Sequence, residues 1–471
     1  MLRSIPLFSA SAIVLAGAFL CIYLLTPAFA VGTMITEHPA VAFCAAMVIA
    51  GLAWLSLLPI LRRFKLSPKI SVPAIIFPAV FVLGVLLRIL LFGSESVYEN
   101  DYRRYLWDGA VTANGANPYE YSPSEIYEAS KPGASSVPSL ARLAVLSNVE
   151  ADGLTNDINS PILTTIYPPA AQGVFALAYW IAPFKLWALK LVFLFFELLG
   201  LAALLAGLRA RGLPLSWSAL YWLNPIIIFT TYNGVHMDVL LVAPILSALL
   251  WSQRRPIIAA LMLSLAAAIK IWPLLLAPVL FRQWRDKPVI YFGIAGLIAV
   301  LTSLSLLPMI LSLDESAGIV AYSANWVNSS FLFPGVRDAL GLFIEDPNRA
   351  ARYVIAAILT GFSLWLGFIT PKDPERVPSH LLLLAAALVF LSPTGYPWYF
   401  IWFLMFLPFA VSHWSARGLA LLTIGAAAYF ARFKMGEAGH YNIYIRVLLP
   451  LEFGIPLAVL MWDGLKARSR V

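Results

Sequence analysis

The chain has 471 residues, of which 61% are hydrophobic and 12% are charged. Soluble globular proteins are about 45–50% apolar and about 25% charged. This composition therefore excludes a water-soluble enzyme, a disordered scaffold and a coiled coil. The formal net charge is +8, but no run of Lys and Arg interleaved with aromatic residues indicates a nucleic-acid groove. We expect no nucleic-acid partner.

Apolar runs of about 18 or more residues recur along the whole sequence, and each is a candidate bilayer span. They predict an all-α polytopic membrane protein, a single integral membrane domain over 1–471 with about 12–14 transmembrane helices. The predicted spans are 7–30, 39–61, 72–93, 167–183, 187–208, 215–232, 237–252, 256–281, 289–312, 351–370, 379–392, 397–412, 417–431 and 443–462.

The first two spans carry the two cysteines of the chain, Cys21 and Cys44. Their spacing to the histidines matches no known metal site, so we interpret them as small apolar thiols. Ala28-Phe29-Ala30 resembles a signal-peptide cleavage site. The apolar run before it is long for a signal peptide, and we therefore predict a retained first helix.

Two polar loops, 94–166 and 313–350, interrupt the apolar pattern. The stretch from Glu95 to Asp157 holds 10 of the 24 acidic residues and 4 of the 32 basic residues, a net charge of −6. Lys and Arg are enriched in cytoplasmic loops, so loop 94–166 is predicted to be periplasmic, with helices at the membrane interface, and loop 313–350 to share its side. We expect a multi-pass protein of a bacterial inner membrane. Four bases assign the loop after the second span to the cytoplasm: Arg62, Arg63, Lys65 and Lys69.

Lys270 and Pro273 interrupt the run 256–281, and we predict a span broken into 256–269 and 273–281. Broken helices are tolerated at membrane depth where they line a cavity. This arrangement keeps Arg254 and Arg255 in the cytoplasm, as the distribution of basic residues requires. It also directs Lys270, His236 and Asp238 toward the outer side.

Ionisable residues are densest just after the third span, where Glu99, Asp101, Arg103, Arg104 and Asp108 follow one another closely. A carboxylate there can accept a proton from a hydroxyl, and a guanidinium can bind a phosphate. The alternative is an interfacial anchor belt of aromatic and basic residues.

Two further ionisable positions lie in apolar surroundings. An Asp at the bilayer centre costs about 2.5–3.5 kcal/mol, so Asp238, two residues after His236, is expected to line a cavity. Asp238 at a helix N-terminus is the alternative. Lys270 needs an anionic partner, for which a lipid phosphate is suited, unless its side chain extends to the interface. Arg88 and Glu197 lie inside predicted helices, and we predict that both are buried and paired.

Aromatic residues occur at two predicted helix starts. Tyr167 precedes Pro168 and Pro169, and a proline is well tolerated in a first helical turn. Trp398 and Tyr399 follow Pro397. Their rings could stack on a sugar or belong to the interfacial belt.

Together these motifs resemble those of the GT-C fold membrane glycosyltransferases. The chain is most similar to bacterial polyprenyl-phosphate-mannose-dependent mannosyltransferases that have the mycobacterial phosphatidylinositol-mannoside type domain. The likeness extends from about residue 95 to 412. It rests on an acid after an early helix, a G-x-N-P-Y ending at Tyr119, a Y-P-P helix start, an N-P…G-x-H-x-D and a K-x-x-P.

The resemblance implies a GT-C type bundle that transfers a hexose, most commonly mannose, from a polyprenyl-monophosphate donor to a glycolipid or glycan hydroxyl on the outer face. It implies that Asp101 is the base and that Lys270 meets the donor phosphate. His236 and Asp238 match the second outward motif. The family often has a D-x-D where this chain has Glu99 and Asp101, which leaves the role of Glu99 open.

Asp108 is a second candidate base. Arg103, Arg104 and Lys270 could stabilise a leaving phosphate without a metal ion, and in-line attack would invert the anomeric carbon. We expect no cofactor, although the sequence leaves a divalent metal open.

Three other classes remain as alternatives, one of which is a non-catalytic membrane scaffold, in which the acid and Lys270 would be dispensable. A secondary transporter or lipid flippase would concentrate ionisable residues at mid-bilayer in inverted halves, whereas here they gather near one outer face. An O-antigen polymerase or ligase would be expected to have an Arg/His pair in a large late loop. Loop 313–350 contains Arg337 and Arg349 but no histidine.

Overall fold

The computed structural model describes residues 4–30, 32–64, 72–134, 137–149, 154, 158–314 and 317–469. Within these residues the protein is all-helical, and the β structure is limited to one isolated bridge between Asn328 and Thr394. The predicted all-α class is confirmed. Lys65 and Lys69, which helped to predict the orientation, lie outside the described residues.

The first half of the chain forms thirteen described α-helices. They are α1 Ser4–Leu25, α2 Ala40–Leu55, α3 Leu57–Phe64, α4 Val72–Phe92, α5 Asp101–Ala113, α6 Pro123–Ala129, α7 Pro138–Val149, α8 Pro169–Ile181, α9 Leu186–Ala210, α10 Ala219–Trp222, α11 Pro225–Tyr232, α12 Val242–Trp251 and α13 Pro256–Ile269.

The second half continues with α14 Ala277–Leu280, α15 Pro288–Ile310, α16 Gly318–Asn325, α17 Phe333–Leu340, α18 Pro347–Phe368, α19 Val377–Leu391, α20 Ile401–Leu404, α21 Ala416–Gly425, α22 Ala427–Glu437, α23 Tyr441–Ile443 and α24 Leu449–Arg468. Short 3₁₀ segments connect many of these helices: Thr26–Phe29, Ile35–Glu37, Leu215–Ser218, Met237–Leu241, Trp272–Leu276, Arg282–Trp284, Pro374–Arg376, Pro397–Phe400 and Leu407–Phe409. A π-helical turn, Tyr444–Leu448, precedes α24.

Seven helical stretches in the described residues are long and apolar enough to cross a membrane, and a bent pair makes an eighth. The chain is therefore a polytopic membrane protein. The count is lower than the predicted 12–14 spans because several predicted runs form helices too short to span alone, among them Pro256–Ile269 and Pro397–Phe409. The seven stretches are Pro6–Phe29, Ala40–Arg63, Leu186–Ala210, Pro288–Ile310, Pro347–Phe368, Pro374–Leu391 and Tyr441–Arg468.

Two helix breaks bring polar residues to the same part of the bundle. Helix α13 ends at Ile269, and Lys270 has extended backbone (φ −151°, ψ 140°) before the 3₁₀ turn Trp272–Leu276. This is the interruption predicted from Lys270 and Pro273. The second break bends the pair Pro225–Tyr232 and Met237–Trp251 by 113°.

A buried ion pair joins α4 to α9. Arg88 donates to both carboxylate oxygens of Glu197 at 2.6 and 2.8 Å, and both side chains are at most 2% exposed. Tyr221 and Tyr232 donate hydrogen bonds to the same carboxylate. The prediction that Arg88 and Glu197 are buried pairing groups is confirmed, and the pairing satisfies two charges that would otherwise be costly in apolar surroundings.

The two polar loops contain helices. Loop 94–166 carries α5, α6 and α7, and it has a small core of its own made by Trp107, Val111, Ile126, Leu143 and Ile158. In loop 313–350, α16 and α17 form, and α18 begins at Pro347, earlier than the predicted span at 351. The start of α5 at Asp101 carries the predicted acidic cluster to the edge of the bundle.

Candidate active site

A cavity of about 600 Å³ lies where loop 94–166, the two helix breaks, the end of α19 and helix α22 meet. We call it the central cavity. Eight of the eleven site residues predicted from the sequence line it, although they come from distant parts of the chain. These eight are Glu99, Asp101, Arg104, Tyr167, Asp238, Lys270, Trp398 and Tyr399.

Two carboxylates lie on either side of one imidazole at the wall of this cavity. His236 Nε2 is 3.8 Å from Glu99 Oε2, and His236 Nδ1 is 3.7 Å from Asp101 Oδ2. Tyr429 donates a hydrogen bond to Glu99 Oε1 at 2.8 Å, and the Asn159 amide donates to Asp101 Oδ1 at 3.1 Å. Each carboxylate thus has one hydrogen-bonded partner and one oxygen toward the same ring.

The electrostatics of the two carboxylates favour their neutral forms. Desolvation, followed by the charge of Asp101, raises the pKa of Glu99 to about 8. Desolvation also raises the pKa of Asp101, against the opposing effects of Asn159 and Lys270. A carboxylate with a raised pKa is a stronger base when ionised, which suits it to accept a proton from a hydroxyl.

The chain before His236 fixes the orientation of its ring. Val235 has a positive φ of 54°, a strained conformation for a β-branched residue. The imidazole stacks on Trp398 with ring centroids 3.6 Å apart. His236 is 2% exposed and lies behind the residues that line the cavity. It therefore contacts the two carboxylates from within the protein.

Asn233 connects the helix break at His236 to the loop that carries the carboxylates. Its side-chain oxygen accepts from the Val97 backbone N–H at 2.9 Å, and its amide donates to Ser94 Oγ at 2.9 Å and to the Glu95 carbonyl. Because Asn233 is fully buried, these hydrogen bonds hold the loop two residues before Glu99 in a defined position.

Lys270 and Asp238 form an ion pair at the two helix breaks. Lys270 Nζ is 2.6 Å from Asp238 Oδ1, which also accepts a hydrogen bond from Trp402 Nε1 at 2.6 Å. The ammonium lies 4.5 Å from the ring centroid of Tyr399 and 5.0 Å from that of Trp402. Lys270 remains 21% exposed while Asp238 is 4% exposed, so the cation is on the cavity side of the pair.

Asp108 and Arg103 are not brought into the central cavity. Asp108 is 2% exposed and accepts from Arg104 Nε at 2.8 Å and from Thr165 Oγ1 at 2.5 Å. Arg104 also donates to the Leu163 carbonyl at 3.0 Å. Asp108 therefore holds Arg104 against the loop near Thr165. The guanidinium carbon of Arg103 is 5.8 Å from the centroid of the Tyr102 ring. Arg103 is not among the described residues that line the central cavity.

Aromatic rings make up much of the cavity wall. Tyr396 stacks on Trp398 at 4.3 Å between centroids, and Tyr399 stacks on Trp402 at 4.1 Å. Tyr167 lies on another side of the cavity, where its backbone carbonyl accepts a hydrogen bond from the Tyr119 hydroxyl at 2.7 Å. Trp398 lies between His236 and Tyr396, so its two faces are covered inside the protein, and this wall presents ring edges and hydroxyls to the cavity.

Arg432 is a third cation of the cavity, and its sequence position does not single it out. Arg432 donates to Tyr429 Oη at 2.8 Å, to Ser329 Oγ at 3.2 Å and to the Asn328 side chain. Through Tyr429 it is linked to Glu99. The available signal was a base one residue after the predicted span 417–431, followed by Lys434, and bases are common at span ends, so the signal is weak.

Among the described residues, no group of three or more His, Cys, Asp and Glu side chains could hold a metal ion. Comparisons with curated proteins and with solved structures found no match. Residues 165–393, which include Tyr167, His236, Asp238 and Lys270, match the family model of Glycosyltransferase family 87. The matched segment, just under half of the chain, is therefore similar to the glycosyltransferases of this family.

Proposed function

We propose that the protein transfers a hexose, with mannose as the first candidate, from a polyprenyl-monophosphate sugar to a hydroxyl of a glycolipid or glycan. The observation that carries the proposal is the shared cavity of two kinds of group. The carboxylates Glu99 and Asp101 contact His236 on one wall, and the Lys270–Asp238 pair lies on another. The first set suits proton transfer from an acceptor, and the second suits a phosphate leaving group.

A lipid-linked donor is supported by the apolar edge of the cavity beside Lys270. Ile271 follows Lys270 directly and is 47% exposed, and Ile319 and Leu388 line the same cavity and are partly buried. A polyprenyl chain could lie along these side chains in the hydrocarbon layer while its phosphate meets the ammonium. Asp238 and Trp402 hold the lysine in this direction before the donor binds.

The proposed reaction is a single displacement. The acceptor oxygen attacks the anomeric carbon, the bond between that carbon and the phosphate oxygen breaks, and the acceptor proton passes to Asp101. Lys270 and Arg104 stabilise the negative charge that returns to the phosphate, in a site of low dielectric where such contacts are strong. The configuration inverts, so a β-linked donor gives an α-linked product, and no cofactor takes part.

His236 has a supporting part in this scheme. Its ring lies between both carboxylates, and it has no hydrogen-bonding partner on either ring nitrogen among the described residues. We assign it to separate Asp101 from Glu99 within the protein. Glu99 is then a neighbouring acid whose ionisation adjusts the base, and the aromatic residues Tyr167, Trp398 and Tyr399 border the space for the sugars.

The cellular setting is part of the same proposal. A polyprenyl donor, an acid-rich loop 94–166 and the basic residues after the second span agree with a bacterial inner membrane and a site that faces the periplasm. The partners are the lipid-linked donor, the glycolipid or glycan acceptor and the membrane itself.

A donor panel tests this function. Purified protein in lipid nanodiscs is incubated with polyprenyl-phosphate-mannose, polyprenyl-phosphate-glucose or a nucleotide-sugar, each with a glycolipid acceptor pool, and the product is analysed by mass spectrometry and NMR. We expect an α-linked mannosyl product from polyprenyl-phosphate-mannose and no product from the nucleotide-sugar. Transfer from the nucleotide-sugar, or movement of intact lipid-linked sugar across the bilayer without transfer, would contradict the proposal and favour another transferase class or a flippase.

A further inference from the structure

A second large cavity lies between α2, α3, α21 and α24. It has a volume of about 610 Å³, and we call it the basic groove. Its walls are mostly aliphatic, and two arginines lie at one end. The residues that matter here are Leu52, Leu55, Arg62, Arg417, Leu421 and Val459.

The charges of the basic groove are not balanced. Arg417 forms a bidentate ion pair with Asp463, at 3.0 and 2.6 Å. Arg62 uses Nε to donate to the Val411 carbonyl at 2.8 Å, a neutral partner that fixes the guanidinium but does not cancel its charge. Two cations thus line the groove beside one carboxylate, which leaves a net charge of +1 next to aliphatic side chains.

The basic groove lies at the other end of the bundle from the central cavity. Helix α2 begins beside His38, whose ring is 5.4 Å from that of Tyr98, a residue of the central cavity. Helix α2 has 16 residues, which make about 24 Å of helix. It reaches the basic groove at Leu52 and Leu55. Trp414 packs near Gly464, next to Asp463, as an aromatic residue at a membrane interface would.

We propose that the basic groove binds an anionic phospholipid. The phosphate would lie against the two Nη groups of Arg62, whose Nε alone is used by the Val411 carbonyl, and beside the Nη1 of Arg417 that does not contact Asp463, because guanidinium N–H groups donate well to phosphate oxygens. The acyl chains would cover Leu52, Leu421 and Val459. Basic pockets between membrane helices are suited to anionic head groups, whereas a zwitterionic lipid would bring an ammonium group toward two arginines.

Binding of phosphatidylglycerol to the purified full-length protein in mixed micelles tests the proposal. Native mass spectrometry gives the dissociation constant, and the midpoint of thermal unfolding gives the stabilisation. We expect Arg62→Gln to weaken binding about fivefold, the effect of one basic residue near a lipid surface. Leu421→Trp should also weaken binding, since it fills the groove and leaves both arginines in place. Arg254→Gln, at an exposed arginine outside the groove, should bind as the wild type does.

Two further ligands show whether the charge of the lipid head group or the phosphate group alone is responsible for binding and stabilisation. Phosphatidylcholine with the same acyl chains should bind at least fivefold more weakly than phosphatidylglycerol, and inorganic phosphate alone should leave the thermal midpoint unchanged. Equal binding of the two lipids, or stabilisation by inorganic phosphate alone, would overturn the proposal. So would wild-type binding by Leu421→Trp, which decides the question even if Arg62→Gln does not fold.

Discussion

At the residue scale, the central feature is the imidazole of His236 between two carboxylates. Neither of the two N···O separations, 3.7 and 3.8 Å, is a hydrogen bond, so the ring separates the two acids without donating to either one. Because the carboxylates of Glu99 and Asp101 lie close together, the ionisation of one changes the pKa of the other. The state of the proposed base therefore depends on its neighbour.

This coupling predicts a bell-shaped pH dependence of kcat/KM for sugar transfer. The base must be ionised, so the rate rises with pH through the pKa of Asp101, which desolvation raises above its usual 3.8. Glu99, with a pKa of about 8, is mostly neutral at pH 7. Above pH 8 its negative charge opposes binding of the donor phosphate, so the rate falls.

Glu99→Gln separates the two limbs of this profile. The amide keeps an oxygen for the Tyr429 hydroxyl but cannot ionise, so the alkaline fall should disappear and the acidic limb should remain. If the variant keeps an alkaline fall centred near pH 8, the assignment of that limb to Glu99 is wrong.

The sequence makes some of these residues visible and hides others, for a physical reason. Glu99, Asp101, Asp238 and Lys270 stand out because charges beside apolar spans are costly and need a purpose. Asp108 is also a charged residue near an apolar span. Its i,i+4 spacing from Arg104 allows the buried ion pair that the structure contains. The partner of Asp101, Asn159, lies in a loop with no distinguishing pattern.

At the element scale, the Arg88–Glu197 pair joins α4 to α9 and thereby sets the start of the loop that carries Glu99. Arg88 also lies over the Trp222 ring, with its guanidinium carbon 3.4 Å from the centroid. A Cβ at Gly84 would come within 2.0 Å of the Trp222 indole nitrogen. The close approach of α4 to this indole thus requires glycine one turn before Arg88.

Removal of one partner should destabilise the protein strongly. We expect Arg88→Ala to lower the free energy of unfolding by about 3–5 kcal/mol, because Glu197 would remain buried and unpaired. Denaturant titration in mixed micelles measures this change. The matched control is Arg349→Ala, which breaks an exposed pair with Asp346 and should cost less than about 1 kcal/mol.

The double variant Arg88→Met/Glu197→Met gives an independent check. Replacing both charges by apolar side chains leaves no unpaired ion, so it should cost less than Arg88→Ala alone. A larger loss of unfolding free energy in the double variant than in Arg88→Ala would show that the ion pair itself adds stability, beyond avoiding an unpaired buried charge.

A break inside one continuous apolar run was predictable where the run contained both a charge and a proline. Lys270 with Pro273 satisfied this condition, and the break lies there. The run 397–412 has the prolines Pro397 and Pro408 but no charged residue, so its sequence predicts one span. The structure divides it into short helical segments, because each proline removes a backbone donor and disturbs the preceding turn.

At the scale of the whole molecule, the central cavity with its carboxylates lies at one end of the helical bundle, and the basic groove lies at the other end. The class, all-helical and polytopic, was predictable from composition and run length alone. The number of full spans was not, since hydrophobicity does not distinguish a crossing from a short helix buried among others. The pairing of distant segments around the central cavity had no counterpart in local sequence pattern.

This polarity predicts the orientation of the chain in the membrane. In a background with Cys21→Ala and Cys44→Ala, a cysteine introduced by Glu120→Cys should react with a membrane-impermeant thiol reagent from the periplasmic side. A cysteine introduced by Ser469→Cys should react only after the membrane is permeabilised. Both positions are exposed, so accessibility of the side chain does not confound the comparison, and the reverse pattern would contradict the orientation.

The most direct test of the account compares Asp101→Asn with the wild type in transfer from polyprenyl-phosphate-mannose to a glycolipid acceptor. Loss of a general base costs about 10²–10⁴-fold in rate, so we predict at least a hundredfold fall in kcat, with donor binding retained. Asp338→Asn, the same change at an exposed site outside the cavity, should transfer at the wild-type rate. Near-normal turnover by Asp101→Asn would show that Asp101 is not the base and would rule out the proposed mechanism.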